Sequence, residues 1–415
     1  MAVENPRTPS WLAAALEAAV DGEVRFDPGS LAAYSCDSSN YRQIPLGVVV
    51  PRSVEAAVAA VEVCRRADVP VLSRGGGTSL AGQTTNAAVV LDWTKYCHRL
   101  VSVDAAARTC VVEPGIALDD LNRALAPYGL MYGPKPSTHQ TCTIGGMVGN
   151  NSCGASAQAY GKTVDNLRRL EVLTYDGLRM WVGPTSAGEL EQIAGGNDRR
   201  AEIYRSLQAL RDRYLAEIRT GYPKIPRRVS GYNLDALLPE NGFDVAKALV
   251  GSEGTLVTVL HAELELVKVA AYQTMVLLGF PSLEQAGRAV ERILPHKPWQ
   301  LEGLDEVLIN LEHEVHAVDT AIRELPEGRG WLIVQFAGDT FEEADSAARR
   351  LMDDLKNGDD APAISYLNDP EREAELIELR EAGLGATAHP TAKHETWEGW
   401  EDSAVDPSDL GDYLH

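Results

Sequence analysis

Two glycine-rich segments constrain the fold of this chain more than any other feature of its sequence. The first reads VPVLSRGGGTSLAGQ over residues 69–83, and the second reads PKPSTHQTCTIGGMVGNNSCGASAQAYG over residues 134–161. Glycine is costly to order and adds no side chain to a core, so it suits places where the backbone needs a positive φ or a close approach to a ligand. We therefore expect both segments to lie at a binding site.

The first segment has the composition of an anion-binding turn. It includes a predicted apolar strand at residues 69–73, and three consecutive glycines then leave backbone amides exposed. Arg74, Thr78 and Ser79 add a charge and two hydroxyl donors. A diphosphate suits these groups, although neither a Walker loop nor the spaced Gly-x-Gly-x-x-Gly motif is present. Taken alone, a glycine triplet is also compatible with a flexible loop.

The second segment favours a wall that lies against a flat polar ligand. Gly145, Gly146 and Gly149 permit close backbone contact. Donors and acceptors are available from Thr143, Asn150, Asn151 and Ser152. A third segment, ALVGSEGTLVTV at residues 248–259, predicts a turn between a helix and a strand, which by itself indicates no function.

Composition narrows the class of protein. The 415 residues, enough for two or three domains, carry a net charge of −22, which argues against binding along a nucleic-acid backbone. The six cysteines form no Cys-x-x-Cys pair, so no zinc ribbon or iron–sulfur ligand cluster is encoded, and we expect reduced thiols. Neither a signal-peptide pattern nor a run of about 18 apolar residues is present, so we expect a cytoplasmic chain without a transmembrane segment.

The first part of the chain combines parallel and antiparallel signals. A helix capped by Ser10 is predicted at residues 10–20, and a strand–helix–strand succession, its helix capped by Ser53, begins at Gly47. Two antiparallel hairpins follow, one of them across Asp176-Gly177. This mixture favours α+β layers over a simple doubly wound sheet.

The part after about residue 265 shows a weak internal repeat. A strand, a helix and a strand at residues 275–280, 282–294 and near Val307 are echoed at residues 331–336, 341–355 and 363–367, before a further helix at residues 371–384. Two such βαβ halves suggest a ferredoxin-like sandwich. The alternative is two unrelated strand–helix pairs.

Four motifs, in order and in register, carry a resemblance to a known superfamily. Between residues 40 and 262 the chain contains PRSVEAAVAAVEVCRRADVPVLSRGGGTSLAGQ, VEPGIALDDLNRAL, TIGGMVGNNSCG and LVGSEGTLVTV. This succession resembles the FAD-binding domain of the vanillyl-alcohol oxidase and p-cresol methylhydroxylase (PCMH) superfamily. Within it, the chain looks like FAD-linked D-2-hydroxy acid dehydrogenases that act on D-lactate, glycolate or D-2-hydroxyglutarate. The phrases PRRVSGYNLDAL and WEGWEDSAVDP look most like long bacterial members whose flavin half is fused to an iron–sulfur half.

The resemblance implies a fold class and a domain order. The fold would be α+β, with a PCMH-type FAD-binding domain of two α+β subdomains followed by a ferredoxin-like α+β substrate (cap) domain that ends early. We expect an N-terminal helical segment at residues 1–40, the FAD-binding domain at residues 41–265 and the C-terminal domain at residues 266–415.

The resemblance also implies which residues hold the cofactor. In this family the arginine–glycine loop grips the FAD pyrophosphate, the second glycine-rich stretch lines the pyrophosphate and ribityl side, and a later turn closes on the cofactor. The matching residues here are Arg74, Gly75, Gly76, Gly77, Thr78, Ser79, Gly82, Pro136, Ser137, Thr143, Gly145, Gly146, Asn150, Ser152, Gly154, Gly251, Glu253, Gly254, Thr255 and Val257. His139 and Cys153 lie nearby without a matching linkage motif, so we expect non-covalent FAD.

The implied reaction needs a cation for the substrate carboxylate. A hydride would pass from the carbon bearing the hydroxyl group to flavin N5, while a base takes the hydroxyl proton. Arg380, in IELREAGLGA, matches in context an arginine that related enzymes use for the carboxylate. Its structural alternative is a solvated helix arginine paired with Glu378 or Glu381. A lysine that related domains place before the turn Trp400-Glu401-Asp402 is absent here.

The segment that binds a divalent metal and positions the base in these dehydrogenases has no counterpart in this sequence. His389 and His394 lie in a loop without a third ligand, so we assign no metal ligand and no catalytic residue. His296, His313 and His316 are expected to be solvated helix residues. A divalent metal or an iron–sulfur cluster would require a C-terminal part outside this sequence.

These residues leave three functional interpretations. The first is FAD-dependent oxidation of a D-2-hydroxy acid to the 2-oxo acid, by the flavin part of a longer polypeptide or of a two-subunit enzyme. The second is a flavin-binding module or fragment without turnover of its own. The third, reduction of an enolpyruvyl sugar nucleotide with NADPH, lacks matching C-terminal segments.

Partners follow from the first interpretation. Besides a small 2-hydroxy acid, the reduced flavin needs an electron acceptor, which could be a quinone, a cytochrome, an electron-transfer flavoprotein or an iron–sulfur domain. The acidic surface favours a basic face on whichever acceptor docks. A peripheral location at the inner face of the membrane and a homo-oligomer are both compatible with the sequence.

Overall fold

The first of three larger sheets is mostly parallel. The computed structural model describes residues 9–315, 322–358, 360–388 and 403–415. The strands β1 (Gly22–Arg25), β2 (Gly47–Pro51), β3 (Val71–Arg74) and β4 (Val89–Asp92) have the spatial order β1-β2-β4-β3, and β1 alone is antiparallel to its neighbour. All five residues of β2 are buried, as in a sheet covered on both faces.

Two helices beside this sheet test the N-cap residues that the sequence predicts. α3 (Val54–Arg66) connects β2 to β3, and the Ser53 hydroxyl accepts a hydrogen bond from the backbone N–H of Ala56 at 3.1 Å, so the predicted cap is confirmed. α1 (Leu12–Ala19) has Trp11 as its N-cap, with no side-chain cap hydrogen bond. The prediction that Ser10 caps this helix is therefore wrong, because Ser10 lies one residue too early.

The second sheet is antiparallel and contains both predicted hairpins. Its strands are β5 (Leu100–Asp104), β6 (Thr109–Val112), β8 (Leu167–Leu173), β9 (Arg179–Val182) and β10 (Thr258–Glu265), in the order β5-β6-β10-β8-β9. The hairpins β5–β6 and β8–β9 confirm the turn signals. A short ribbon pairs β7 (Leu130–Met131) with β11 (Val267–Lys268).

Further helices surround the two sheets and support the site described below. They are α2 (Pro28–Ala33), α4 (Leu118–Leu125), α5 (Ile144–Asn150), α6 (Ala157–Tyr160), α7 (Ala187–Ala194), α8 (Arg199–Arg213), α9 (Leu215–Gly221) and α10 (Val245–Leu249). Leu118, Leu121 and Leu125 of α4 are fully buried in the same core as the second sheet. The two sheets with their helices agree with the expected pair of α+β subdomains.

The third sheet forms the ferredoxin-like sandwich that the repeat predicts. Its strands are β12 (Tyr272–Phe280), β13 (Gln300–Asp305), β14 (Gly330–Gly338) and β15 (Ala363–Leu367), and neighbours in the order β13-β14-β12-β15 are all antiparallel. The strand predicted near Val307 is instead β13. Val307 itself lies in the following helix, since the chain turns at Asp305, whose carboxylate accepts from the N–H of Leu308 at 2.8 Å.

Helices cover both faces of this third sheet. α11 (Leu283–Ile293) and α13 (Phe341–Leu355) pack on one face, and α12 (Glu306–Val315) and α14 (Pro370–Ala388) pack on the other. The short α15 (Leu410–Leu414) packs against α11. Alternate side chains of β12 lie on opposite faces of the sheet. Val276 and Leu278 belong to one core, and Met275 and Leu277 belong to the other.

The fold class predicted from the sequence is confirmed, with helices and sheets in α+β layers. The division of the chain at residues 265 and 266 stays a prediction. Within the ranges that the structure describes, no helix is both long enough and apolar enough to cross a membrane.

Glu373 of α14 is a buried carboxyl beneath the third sheet. Its side chain is only 5% exposed, and burial raises the pKa of Glu373 to about 7. Its Oε1 atom, like Oε1 of the buried Gln335 on β14, has no hydrogen-bond partner among the described residues. A protonated Glu373 suits this environment, because an ionised carboxylate there would leave buried acceptors unpaired.

We expect the substitution Glu373→Gln to stabilise the fold increasingly as pH rises. The raised pKa means that the folded wild type binds a proton which the unfolded chain has released, so wild-type stability falls between pH 4.5 and about 7. The neutral glutamine avoids this loss, so the free energy of unfolding should increase on the order of 2 kcal/mol above about pH 7 and little at low pH. Urea unfolding at several pH values measures this difference.

The control is Glu375→Gln, because Glu375 lies on the same helix and is exposed. It should change stability little at any pH. An equal gain for Glu373→Gln at both ends of the pH range would contradict the expectation, since the effect would then not come from ionisation.

Candidate cofactor site and adjoining cavity

The two glycine-rich segments pack directly against each other. The first forms the turn after β3, and the second runs through α5 and the loops on either side of it. A Cβ atom added to Gly75 would lie 2.1 Å from Oγ1 of Thr143, and one added to Gly76 would lie 2.2 Å from the carbonyl oxygen of Thr141. No side chain fits at either position, which explains two of the three consecutive glycines.

Arg74 holds the first turn in place through hydrogen bonds to the loops on either side of it. Its Nη1 donates to the carbonyl of Thr84 at 3.1 Å, its Nη2 donates to the carbonyl of Cys36 at 2.8 Å, and the guanidinium lies over the ring of Tyr34. The charge of Arg74 is therefore engaged with the loops that flank the turn. Direct contact between Arg74 and a pyrophosphate stays a prediction.

Two adjoining cavities lie where the glycine-rich segments meet. The first, of about 80 Å³, is bounded by both segments and by the turn at residues 252–257. Ten of the predicted cofactor residues line it: Arg74, Gly75, Ser79, Thr143, Gly145, Gly146, Asn150, Glu253, Gly254 and Val257. The Thr143 hydroxyl also caps α5 by accepting from the N–H of Gly146. The structure thus brings residues from all three predicted segments to one place.

The second cavity is larger, about 440 Å³, and its wall includes α14 of the C-terminal part. It is lined by the predicted residues Thr78, Ser79, Pro136, Ser137, Asn150, Ser152, Gly154, Glu253 and Arg380. Ser79, Gln83, Asn150 and Glu253 line both cavities, so the two are adjacent. This geometry suits an elongated ligand that passes from the first cavity to the edge of the second.

Five predicted residues line neither cavity. Gly77, Gly82 and Gly251 have positive φ angles and support the turns, while Gly76 packs against Thr141. The Thr255 hydroxyl lies 2.8 Å from the hydroxyl of Tyr232 and faces a separate surface depression.

Two buried donors without partners support a ligand in these cavities. Trp93, only 2% exposed, lines the first cavity, and its Nε1 has no hydrogen-bond partner among the described residues. Asn151, fully buried, lines the second cavity, and its Nδ2 likewise has no partner there. An unmet buried donor costs about 1–3 kcal/mol, so we expect each of the two to gain a partner when a molecule binds. With the amides of the glycine turn, they fit the phosphate and ring acceptors of FAD.

Charged side chains from both parts of the chain surround the second cavity. Arg380 on α14 has Nε 2.8 Å from Oε2 of Glu302 on β13, so its partner is Glu302 rather than Glu378 or Glu381. Arg227 donates from Nε to Sγ of Cys153 at 3.1 Å. Lys135 and Glu381 also line the cavity. Three cations therefore lie at the wall of a cavity that adjoins the cofactor cavity.

Sequence reasoning missed several of these residues. Trp93 follows a buried strand and belongs to no motif. Gln83 ends the first glycine-rich segment but was not predicted to be a site residue. Lys135 was detectable as the single basic residue before α5 in the second segment. Arg227, Glu302 and Glu381 reach the cavity through contacts between distant parts of the chain. No local signal marks such residues.

The other polar candidates give no metal site. Among the described residues, no group of three or more His, Cys, Asp or Glu side chains is placed to hold a metal ion. His389, His394 and His316 lie outside the described residues, as does the side chain of His313. His296 is half-buried, with Nε2 3.4 Å from Oδ2 of Asp354, so it is not the solvated histidine that we expected.

Most of the cysteines are buried within the fold. All six are free thiols, and all except Cys36 are buried. Burial raises the pKa of the Cys142 thiol, which lies beside the second glycine-rich segment, to about 12.

The fold and the paired cavities define a cofactor-binding protein of two α+β parts, and comparison with known proteins gives its family. Residues 45–183 match the family described as FAD binding domain, and residues 269–415 match the family described as FAD linked oxidases, C-terminal domain. The chain belongs to the FAD-linked oxidase family, as the resemblance of its motifs indicates.

Individual relatives agree with this family. The chain is 27% identical to a D-2-hydroxyglutarate dehydrogenase of Pseudomonas putida over 98% of its own length and 42% of the relative. It is 30% identical to glycolate oxidase subunit GlcD of Escherichia coli over 68% of the chain and 48% of the relative. A D-lactate dehydrogenase of Archaeoglobus fulgidus is 27% identical over 73% of the chain and 56% of the relative. The chain thus spans about half or less of the length of these relatives.

A solved structure of alkyldihydroxyacetonephosphate synthase shares the fold. It matches with a TM-score of 0.63 over 90% of this chain and 64% of that chain, at 16% sequence identity. This likeness supports the two-part architecture and carries no further conclusion about ligands.

We expect the substitution Trp93→Phe to weaken FAD binding while keeping the shape of the cavity. The phenyl ring fills most of the indole volume but removes the Nε1 donor, so the dissociation constant for FAD should rise about tenfold. Fluorescence titration of the apoprotein with FAD measures this constant. Trp11→Phe is the matched control, because Trp11 is 48% exposed and lines neither cavity. Equal affinities for all three proteins would show that Trp93 does not contact the cofactor.

Proposed function

We propose that this chain is the flavin part of an FAD-dependent oxidoreductase that oxidises a D-2-hydroxy acid to the 2-oxo acid. The observation that carries the proposal is the second cavity, which adjoins the cofactor cavity and has Arg380, Arg227 and Lys135 at its wall. A small carboxylate held there would lie beside the bound flavin. The relatives named for D-2-hydroxyglutarate, glycolate and D-lactate support the same substrate class.

In the proposed reaction, the residues of this chain bind and orient the substrate. When bound, FAD supplies the acceptor for the hydride that leaves the carbon bearing the hydroxyl group with two electrons, and the hydroxyl proton passes to a base to which no described residue is assigned. The guanidinium of Arg380 would hold the substrate carboxylate by charge-assisted hydrogen bonds. Glu302, whose Oε2 lies 2.8 Å from Nε of Arg380 and which also lines the cavity, would hold the guanidinium at the cavity wall.

The reduced flavin must pass its electrons to a partner. We propose a quinone, a cytochrome, an electron-transfer flavoprotein or an iron–sulfur domain, with a basic face toward this acidic chain. A second candidate function is a flavin-binding module without turnover of its own. The observation that favours it is the pairing of two of the cations at the cavity wall, Arg380 with Glu302 and Lys135 with Glu381, which offsets their charge toward a substrate carboxylate.

Anaerobic reduction separates the two candidates. We expect the FAD-loaded chain to lose absorbance at about 450 nm when D-lactate, glycolate or D-2-hydroxyglutarate is added without oxygen. The variant Arg380→Met should require roughly ten- to a hundredfold more hydroxy acid for the same rate, because a charged hydrogen bond to the carboxylate is lost. Arg372→Met is the control, since Arg372 lies on the same helix, is 56% exposed and does not line the cavity.

Bleaching by none of the three acids would support the module without turnover. Bleaching that is equally efficient in the Arg380 and Arg372 variants would keep the oxidoreductase but remove Arg380 from substrate binding.

The contacts of His139 and Cys153 support non-covalent FAD. Both ring nitrogens of His139 already face carboxylates, and the Cys153 sulfur accepts from Arg227. We expect acid precipitation of the holoprotein to release the yellow flavin into the supernatant. Flavin that stays with the protein pellet would indicate a covalent bond.

A further inference from the structure

Glu381 of α14 joins the C-terminal part of the chain to the second glycine-rich segment. Its Oε1 accepts a hydrogen bond from Nζ of Lys135 at 2.9 Å, and its Oε2 lies 3.1 Å from Nε2 of His139. Lys135 and His139 belong to the loop between β7 and α5, whose residues Pro136 and Ser137 line the second cavity. One carboxylate therefore makes two polar contacts with the loop beside the cofactor site.

His139 is itself anchored in the core of the N-terminal part. Its Nδ1 lies 2.7 Å from Oδ1 of Asp119 on α4, and its ring is only 11% exposed. The backbone reinforces this contact, because the N–H of Asp119 donates to the carbonyl of His139 at 3.3 Å. Since the leucines of α4 are fully buried, the Asp119–His139 pair is a fixed point against which α14 is held.

The residue before Glu381 makes a contact in a different direction from α14. Arg380 pairs with Glu302 of β13, within the C-terminal part, whereas Glu381 pairs across to the N-terminal part. Consecutive residues on a helix project about 100° apart, so the two contacts together fix the rotation of α14 about its axis. A rotation of the helix would move the Arg380 guanidinium away from the cavity.

The burial of this cluster separates it from ordinary surface ion pairs. Exposed pairs on helices contribute little, since water screens both charges. The pair Arg372–Glu324, with Arg372 56% exposed, is of that kind. The side chains of Glu381 and His139 are 26% and 11% exposed, and the carboxylate is held by two partners at once.

We propose that Glu381 is a positioning residue, whose contacts with Lys135 and His139 fix α14 against the cofactor-side loop and so set the reach of Arg380 into the second cavity. The part of this inference that concerns substrate rests on the proposed function. The docking of α14 does not rest on the proposed function, so experiments can contradict the docking and the substrate role separately.

Hydrogen exchange tests the docking without any substrate. In the full FAD-loaded chain carrying Glu381→Gln, backbone amides of residues 370–381 should exchange about tenfold faster than in the wild type, while those of β8 and β10 keep their rates. Glu378→Gln is the control, because Glu378 lies on the same helix and is exposed. The conservative variant Glu381→Asp keeps the charge and should restore part of the protection. Unchanged exchange in both Glu381 variants would overturn the proposal.

Steady-state kinetics tests the consequence for substrate. With a hydroxy acid that the wild type oxidises, Glu381→Gln should raise KM about tenfold and change kcat little, since binding of the carboxylate is weakened while the flavin stays in place. The visible spectrum of the bound flavin and its content per chain should be unchanged. Faster exchange with an unchanged KM would contradict the positioning of Arg380 but would still support the docking of α14. If no hydroxy acid is oxidised by the wild type, the proposed function fails and hydrogen exchange alone decides the docking.

Discussion

The packing of one glycine-rich segment against the other is the constraint on which the site depends. Gly75 and Gly76 lie so close to Thr143 and to the backbone of Thr141 that a single methyl group would force them apart. This contact holds the turn after β3 beside the start of α5, and the first sheet thereby meets the elements that flank the second sheet. The cavities lie where these two segments meet, and Gly75 and Gly76 add no side chain of their own between the two backbones.

The two parts of the chain contribute different chemistry to this arrangement. The N-terminal part supplies backbone amides, hydroxyl groups and two buried donors, Trp93 and Asn151, which suit a large polar cofactor. The C-terminal part supplies α14, which lies beside the second cavity with Arg380 and Glu381 on it. The ferredoxin-like sheet serves as the rigid support for that helix, because Leu376 and Leu379 of α14 are buried against it.

Much of this architecture was predictable because its signals are local. The hairpins follow from turn residues, the cap of α3 follows from Ser53, and the sandwich follows from a repeated order of strands and helices. Errors arose where a signal was displaced, by one residue for Ser10 before α1 and by one element for Val307 after β13. The motifs in register identified the family. The cavity wall was less predictable, because Trp93 gives no motif and Glu302 and Glu381 act through contacts between residues far apart in the sequence.

The hydrogen bonds of Arg74 to the loops around the first turn have a consequence for how an anion reaches this site. Because its guanidinium donates to the neutral carbonyls of Thr84 and Cys36, it keeps its positive charge at the wall of the first cavity, beside the peptide dipoles of the turn. The attraction of a dipole falls with distance more steeply than that of a charge, and the net charge of −22 repels anions from afar. An anionic cofactor is therefore attracted only at short range, once it has come within reach of the turn, and added salt would speed its approach by screening the repulsion.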